Sequence, residues 1–174
     1  MTGDRHILLA GLRGSGKSTL GRMLAERLGL PHVDLDDRTA VLLGKNTCAE
    51  ALNELGEPAF REGEREALAE VLSQPACVVS LGGGTPTAPG APEIIERANA
   101  RVIYLRLSPE TLASRLRASD LESRPSLTGK GVIEEIDALF SQRDPLYQQL
   151  GQTLEIQHEP PQRTLERIVA LVGD

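Results

Sequence analysis

The chain has 174 residues, of which 40% are hydrophobic and 25% charged, a composition typical of a single globular domain and not of a disordered chain. Its formal net charge of -6 and its 2% of aromatic residues exclude a broad basic nucleic-acid surface and a platform for stacking single-stranded bases. No apolar stretch could span a bilayer, the first residues lack the order of a signal peptide, and the two cysteines lack metal-ligand or redox spacing. We therefore expect one cytoplasmic, monomeric domain over residues 1–174, with no nucleic-acid or membrane partner.

Apolar runs alternate with segments of helical periodicity along most of the chain, which predicts a parallel sheet covered by helices. A helix is expected from about Lys17, ended by Gly29 in a left-handed conformation and by Pro31. A second helix should begin at Ser108, an N-cap residue that proline follows. Residues 119–131 are polar and predict a mobile surface loop. The predicted strands are His6–Ala10, His32–Asp34, Cys77–Leu81, Val102–Leu107 and Thr153–Gln157.

A glycine-rich segment, Gly11–Ser18, follows the first predicted strand, opens the first predicted helix and matches the P-loop pattern of nucleotide-binding proteins. Glycines let backbone N–H groups surround a polyphosphate, and the helix N-terminus adds partial positive charge. Lys17 is expected to reach the β- and γ-phosphates of ATP, and the Ser18 hydroxyl to ligate Mg²⁺. A glycine-rich turn without a ligand is the alternative. The predicted ATP-binding residues of this segment are Gly14, Ser15, Gly16, Lys17, Ser18 and Thr19.

Two aspartates follow the second predicted strand. Many P-loop proteins place a magnesium-supporting aspartate after a buried strand, but here the third strand ends in Gly82–Gly84, so the carboxylate must come from elsewhere. Residues two apart in an extended chain point to the same side, so Asp34 and Asp36 can face one cleft. We assign Asp34 to the Mg²⁺ shell and Asp36 to the attacking hydroxyl, as orienting group or general base. The alternative is that these acids cap the next helix, as Asp37 is expected to do.

Three consecutive glycines, Gly82, Gly83 and Gly84, end the third predicted strand. Glycine permits close approach of the backbone to a substrate, with N–H groups directed at its oxygens. A flexible turn without a ligand is the alternative.

Two arginines on inward helix faces indicate an anion site, because an unpaired buried guanidinium would cost several kcal/mol. Arg61 shares a face with Leu68 and Leu72. Together the two arginines would bind a carboxylate in fork geometry. The alternatives are a structural carboxylate beside Arg143, and for Arg61 a solvated salt-bridge face with Glu57, Glu62, Glu64 and Arg65. The apolar and aromatic residues that share the predicted stripe of Arg143 are Val132, Ile136, Leu139, Phe140 and Tyr147.

A further arginine, Arg124, precedes Pro125 inside the predicted loop. An arginine delivered by a closing loop can neutralise the charge that develops on a transferred phosphoryl group, with an effect of about 10³–10⁵ in rate for arginine fingers. A freely solvated loop charge is the alternative.

In this order, the motifs resemble those of shikimate kinases: the P-loop, an Asp-x-Asp pair, Phe60-Arg61, three glycines, Arg-Pro and the final Arg143–Tyr147 segment. The resemblance implies a P-loop kinase fold of the nucleoside-monophosphate-kinase type, a three-layer α/β sandwich with a five-stranded parallel sheet, a substrate-binding region at about 34–64 and a lid at about 119–131. It implies ATP, Mg²⁺ and phosphorylation of the 3-hydroxyl of shikimate, a step towards chorismate and the aromatic amino acids. It also implies that Arg115 lies along the adenine. The residues implied to hold shikimate are Asp36, Arg61, Gly82, Gly83, Gly84 and Arg143.

Other functions remain open at this point. A different small-metabolite kinase of the same fold, such as a gluconate kinase, would use the P-loop and acidic pair but has no evident need for both Arg61 and Arg143. A non-catalytic module that senses a metabolite would not require Lys17, Asp34, Asp36 and Arg124 together. The segment from Cys48 to Leu52 departs from the Ile-x-x-Ile-Phe of similar sequences, and Leu52 reshapes a wall of the expected substrate pocket.

Overall fold

Five parallel strands form one sheet in the computed structural model, which describes residues 5–118, 131 and 133–173. Across the sheet the order is β2-β3-β1-β4-β5, so β1 lies at the centre with β3 and β4 on either side. The predicted parallel sheet is confirmed, and each strand end lies within two residues of its predicted position. The strands are β1 (Ile7–Ala10), β2 (His32–Asp34), β3 (Val78–Ser80), β4 (Arg101–Arg106) and β5 (Gln152–Glu155).

Helices connect the strands and cover both faces of the sheet. Within the described residues they are α1 (Lys17–Leu28), α2 (Leu35–Leu42), α3 (Cys48–Leu55), α4 (Glu57–Leu72), α5 (Ala91–Arg97), α6 (Pro109–Arg117), α7 (Ile136–Leu150) and α8 (Pro161–Gly173), with a 3₁₀ turn at Thr85–Thr87. None of these described helices is both long and apolar enough to cross a membrane.

Alternating side chains of the strands divide the core into two layers, since successive residues of a strand point to opposite faces. Ile7 and Leu9 of β1 pack in one layer, which includes buried residues of α1, α6, α7 and α8. Leu8 and Ala10 pack in the other layer, which includes buried residues of α4 and α5. These layers on either side of the sheet give the three-layer sandwich that the resemblance implied.

The ends of two helices follow the sequence signals. Gly29 closes α1 with a φ of 66°, the left-handed conformation in which glycine has no Cβ clash. Ser108 caps α6, because its side chain accepts a hydrogen bond from the Thr111 N–H at 3.2 Å, and Pro109 is the first helical residue. Both predictions are confirmed.

The acidic segment after β2 differs from its prediction. The chain leaves the extended conformation after Asp34, and α2 begins at Leu35, so Asp36 lies in the first turn of a helix. The two aspartates do line one cavity, but the extended conformation predicted for the segment was wrong, as was the assignment of the cap to Asp37. Asp34 caps α2 by accepting a hydrogen bond from the Asp36 N–H at 3.2 Å.

The predicted lid at 119–131 lies almost entirely outside the described residues, as do Arg124, Pro125 and Val132. Within the described region, Arg115 is on α6, before this segment, and Arg143 is on α7, after it.

Candidate active site

A cavity of about 500 Å³ opens where β1, β2 and β3 end, the edge at which open α/β sheets bind ligands. Ser15 is fully buried, and neither Ser15 nor Gly82 lines the cavity. The other predicted site residues in the described part of the chain all do: Gly14, Gly16, Lys17, Ser18, Thr19, Asp34, Asp36, Arg61, Gly83, Gly84, Arg115 and Arg143.

The P-loop joins β1 to α1 through a sharply turned backbone. Gly14 and Gly16 have φ angles of 84° and 95°, which glycine adopts without steric cost. Gly16 is the N-cap of α1 and has no side chain, so no side-chain hydrogen bond caps the helix and a phosphate can bind at its N-terminus. The Lys17 ammonium donates hydrogen bonds to the carbonyl oxygens of Gly11 at 2.8 Å and Leu12 at 3.0 Å. Backbone dipoles and a lysine therefore make a site for a polyphosphate.

Two oxygen ligands suited to a hard cation meet at the start of α1. The Ser18 hydroxyl donates a hydrogen bond to Asp34 Oδ2 at 2.6 Å, while Asp34 Oδ1 accepts from the Asp36 N–H. A hydroxyl and a carboxylate are ligands that Mg²⁺ takes together with water and phosphate oxygens. The residues therefore fit a magnesium ion, and the cap interaction fixes the orientation of the carboxylate.

Asp36 is an exposed residue that lines the cavity, and its carboxyl lies against the glycine turn. Gly82 lies directly behind it, since a Cβ on Gly82 would be 2.5 Å from Asp36 Oδ1. Loss of hydration in the cavity, and then repulsion from the Asp34 carboxylate, raise the pKa of Asp36 to about 6, although Lys17 opposes this shift. A carboxylate with this pKa is suited to accept a proton near neutral pH.

The glycine turn after β3 brings backbone close to charged side chains. A Cβ on Gly84 would lie 2.5 Å from Arg61 Nη1, just as one on Gly82 would meet Asp36. Side chains at these positions would displace groups of the cavity. Glycine is therefore needed here so that the backbone can lie close to Asp36 and Arg61, which favours this role over that of a flexible turn without a ligand.

Arg61 both lines the cavity and forms salt bridges along its own helix. It pairs along its own helix with Glu57, at 3.6 Å, and with Glu64, to which Nη1 donates a hydrogen bond at 2.7 Å. This is not the solvated face of the alternative, because Glu64 is only 2% exposed and Arg61 lines the cavity. Arg65 and Glu62, by contrast, form an exposed salt bridge within this helix.

Arg143, on α7, is 8% exposed and lines the cavity. Its Nη1 donates a hydrogen bond to the carbonyl oxygen of Gly83 at 2.8 Å, and the Tyr147 hydroxyl donates to the same oxygen. Within the described part of the chain, its partner is thus a backbone carbonyl and not the structural carboxylate of the alternative. Since Arg61 packs on Gly84, the two arginines meet at adjacent residues of one turn.

A second, smaller cavity of about 250 Å³ adjoins the P-loop, since Gly14, Gly16 and Thr19 line it as well. Arg115 lines both cavities, and its Nη1 is 3.4 Å from the Ser15 carbonyl oxygen. Leu20, Ile156 and Pro161 contribute apolar side chains to the smaller cavity. A guanidinium beside apolar side chains is suited to a planar aromatic ring.

The roles of two residues at the larger cavity, Glu64 and Tyr147, were not predicted from the sequence. Glu64 entered only as a possible surface partner, yet it is buried and accepts hydrogen bonds from both Arg61 and the Thr85 hydroxyl. Tyr147 entered only as an apolar stripe residue. The spacing of Glu64 three residues after Arg61 was a signal for the pair, whereas the contact with Thr85 joins distant parts of the chain and had none.

Comparisons with known proteins agree on one family. The family model for shikimate kinase matches residues 13–172. A shikimate kinase of Rhodopirellula baltica is 40% identical over 152 residues, covering 82% of this chain and 76% of that one. Shikimate kinase 2 of Yersinia enterocolitica is 36% identical, covering 97% and 95%. The structure of an Acinetobacter baumannii shikimate kinase in complex with shikimate superposes with a TM-score of 0.87 at 30% identity, covering 97% and 92%.

The residues that the family model matches include most of the P-loop, Asp34 and Asp36, the glycine turn and both arginines. The chain is therefore an ATP-dependent kinase, and it belongs to the shikimate kinase family.

Proposed function

We propose that this chain transfers the γ-phosphate of ATP to the 3-hydroxyl of shikimate, giving shikimate 3-phosphate and ADP. One observation carries the proposal: Lys17, Asp36 and the arginines Arg61 and Arg143 line the same cavity. This set offers a phosphate site, a proton acceptor and two cations for a carboxylate. Shikimate carries both the hydroxyl and the carboxylate that these groups would take.

The nucleotide would bind across the P-loop. Backbone N–H groups of the loop and of the first turn of α1 would take the phosphates, with Lys17 moving from the carbonyl oxygens of Gly11 and Leu12 to the β- and γ-phosphates. Arg115, with Ile156 and Pro161 in the smaller cavity, would hold the adenine.

Ser18 and Asp34 would hold Mg²⁺, Ser18 directly and Asp34 through water. When bound, this ion would offset the negative charge of the ATP phosphates. Asp34 also has a structural role. As the N-cap of α2 it fixes the residue at which the helix starts, and therefore the orientation of Asp36.

The acid substrate would lie between the glycine turn and the two arginines. Arg61, oriented by Glu64, and Arg143, oriented by Gly83, would bind the carboxylate, while the Gly83 and Gly84 backbone would contact the ring substituents. Asp36 would then accept a hydrogen bond from the attacking hydroxyl and take its proton as the phosphoryl group is transferred.

Arg124 lies outside the described residues, so its role in neutralising charge on the transferred group stays a prediction from the sequence. The monomeric state and the cytoplasmic location also stay predictions.

The pH dependence of the reaction should report on Asp36. Because the pKa of this carboxyl is raised to about 6, the proton-accepting form is lost as the pH falls through that value. We expect kcat/KM for shikimate to decline in proportion to the deprotonated fraction below about pH 6. Carboxyl-carbon NMR of the ligand-free chain, with Asp36→Asn to assign the signal, would locate the transition. A titration at the ordinary value of an aspartate would contradict the proposed role of the cavity in tuning this group.

Release of ADP, measured in a coupled assay across shikimate, gluconate and nucleoside monophosphates, tests the proposed reaction. We expect turnover with shikimate that requires Mg²⁺. Turnover with gluconate but not shikimate would support the alternative kinase and overturn our proposal. Tight shikimate binding without ATP turnover would support the sensor instead.

A further inference from the structure

A buried carboxylate that the proposed reaction does not use follows Arg143 directly in the chain. Asp144 is 8% exposed, and both of its oxygens accept hydrogen bonds. Oδ1 accepts from the Tyr104 hydroxyl at 2.8 Å and from Arg106 Nε at 2.7 Å. Oδ2 accepts from Arg106 Nη2 at 3.1 Å and from Gln148 Nε2 at 2.8 Å. Every lone-pair direction of the carboxylate therefore has a donor.

These donors tie α7 to the sheet. Tyr104 and Arg106 belong to β4, whereas Gln148 lies one turn along α7 from Asp144. The Arg106 contact is bidentate, the arrangement that fixes a carboxylate in both position and plane. Asp144 thus links the middle of α7 to the strand beside the central one.

The helix needs such a link at this point. Pro145 lies inside α7 and has no N–H to donate to the carbonyl oxygen one turn earlier, so the regular ladder of the helix is interrupted beside Arg143. A side-chain anchor on the neighbouring residue can hold the axis where the backbone hydrogen bonds do not.

On its other face, the same turn of α7 contacts the glycine turn, where the substrate carboxylate is proposed to bind; we call this the acid site. Arg143 and Tyr147, four residues apart, both donate to the Gly83 carbonyl oxygen. The Tyr147 ring also packs edge-on against Tyr104, with centroids 5.0 Å apart and planes at 67°. Movement of α7 relative to β4 would therefore displace Arg143 from the glycine turn.

We propose that Asp144 is a positioning residue, which places the Arg143 guanidinium in the acid site by clamping α7 to Tyr104 and Arg106. The inference rests on the proposed function, because it assumes that Arg143 binds the substrate carboxylate. The carboxylate form is maintained: burial alone would raise the pKa of Asp144, but its hydrogen bonds from Arg106 and Tyr104 leave that pKa below its ordinary value.

The test replaces Asp144 by a side chain of the same size without the charge. Asp144→Asn should raise the KM and the calorimetric Kd for shikimate about tenfold, the size of one weakened charge-assisted hydrogen bond, while the KM for ATP stays within about twofold. Tyr104→Phe, a conservative change that removes one donor, should give a smaller rise in the same direction. If Asp144→Asn does not fold, Tyr104→Phe provides the test instead.

A stability control separates positioning from general loosening. Ile168→Ala leaves a cavity in the buried face of α8, and it should lower the melting temperature without changing the shikimate Kd. Glu155→Gln removes the other carboxylate partner of Arg106 without touching α7, and it should leave the shikimate KM unchanged. A lowered melting temperature with an unchanged shikimate Kd in Asp144→Asn would overturn the positioning role.

A double substitution shows whether Asp144 acts through Arg143. In an Arg143→Ala background, adding Asp144→Asn should cause no further rise in the shikimate Kd, because the group being positioned is gone. A full further rise would mean that Asp144 acts elsewhere, and would overturn the proposal. If the unchanged chain neither binds nor phosphorylates shikimate, the proposed function fails and this inference fails with it. Normal turnover by the unchanged chain with no effect of Asp144→Asn refutes only the inference.

Discussion

Asp36→Asn should lower kcat by about 10²–10⁴, the usual contribution of a positioned proton acceptor, while ATP still binds. The amide has nearly the shape of the carboxylate, so the cavity stays intact. It cannot take a proton, and one of its groups donates where the carboxylate accepts. Single-turnover phosphorylation of shikimate, combined with nucleotide binding by calorimetry, measures the two effects separately.

Asp37→Asn is the matched control for this substitution. Asp37 lies next to Asp36 in the first turn of α2, and it is exposed and outside the lining of the cavity. Its change should leave kcat within about twofold, as expected for a surface substitution away from the site. Near-normal kcat in Asp36→Asn would remove this carboxyl from the reaction centre.

Arg143→Ala should raise the KM for shikimate by about 10²-fold or more, with little change in the KM for ATP. Two charge-assisted hydrogen bonds to the substrate carboxylate would be lost, and each contributes roughly 1.5–3 kcal/mol. Steady-state kinetics with each substrate varied in turn gives the comparison. Arg143→Lys should recover part of the loss, because a lysine keeps the charge but not the fork geometry.

The control for Arg143→Ala is the same substitution at Arg65, an arginine outside the cavity. Arg65 pairs with Glu62 on the exposed side of α4, and Arg65→Ala should alter neither KM, since exposed ion pairs contribute little. Equal increases in both KM values for Arg143→Ala would indicate a structural role instead of substrate binding.

Features that depend on neighbours in the chain were predictable from the sequence. The P-loop needs only a strand, glycines and a helix start in order, and the observed loop has them between β1 and α1. Gly29 and Ser108 end and begin helices as predicted, because these signals act within one turn. The positions of the five strands followed from their apolar runs.

Features that depend on competition between local and distant contacts were not predictable. The Asp34–Asp37 segment could be read as an extended chain or a helix start, and the capping hydrogen bond of Asp34 decided for the helix. The burial of Glu64 depends on Thr85, which is far along the chain. Likewise, Asp144 gains its role only when β4 and α7 come together, and neither its type nor its position in the Arg143–Tyr147 motif indicates Tyr104 or Arg106 as partners.

The Gly83 carbonyl oxygen, which two side chains share as an acceptor, limits the hydrogen bonds that the glycine turn can accept from a ligand. A carbonyl oxygen has two lone pairs, and those of Gly83 receive Arg143 and the Tyr147 hydroxyl. Burial raises the pKa of Tyr147 to about 12, so this hydroxyl keeps its proton at neutral pH. The accepting capacity of the Gly83 peptide is thus saturated by the protein, and a ligand amine or ammonium would find no acceptor there. The turn therefore discriminates between compounds by polarity: it favours anionic or oxygen-rich molecules and disfavours amino analogues of the same shape.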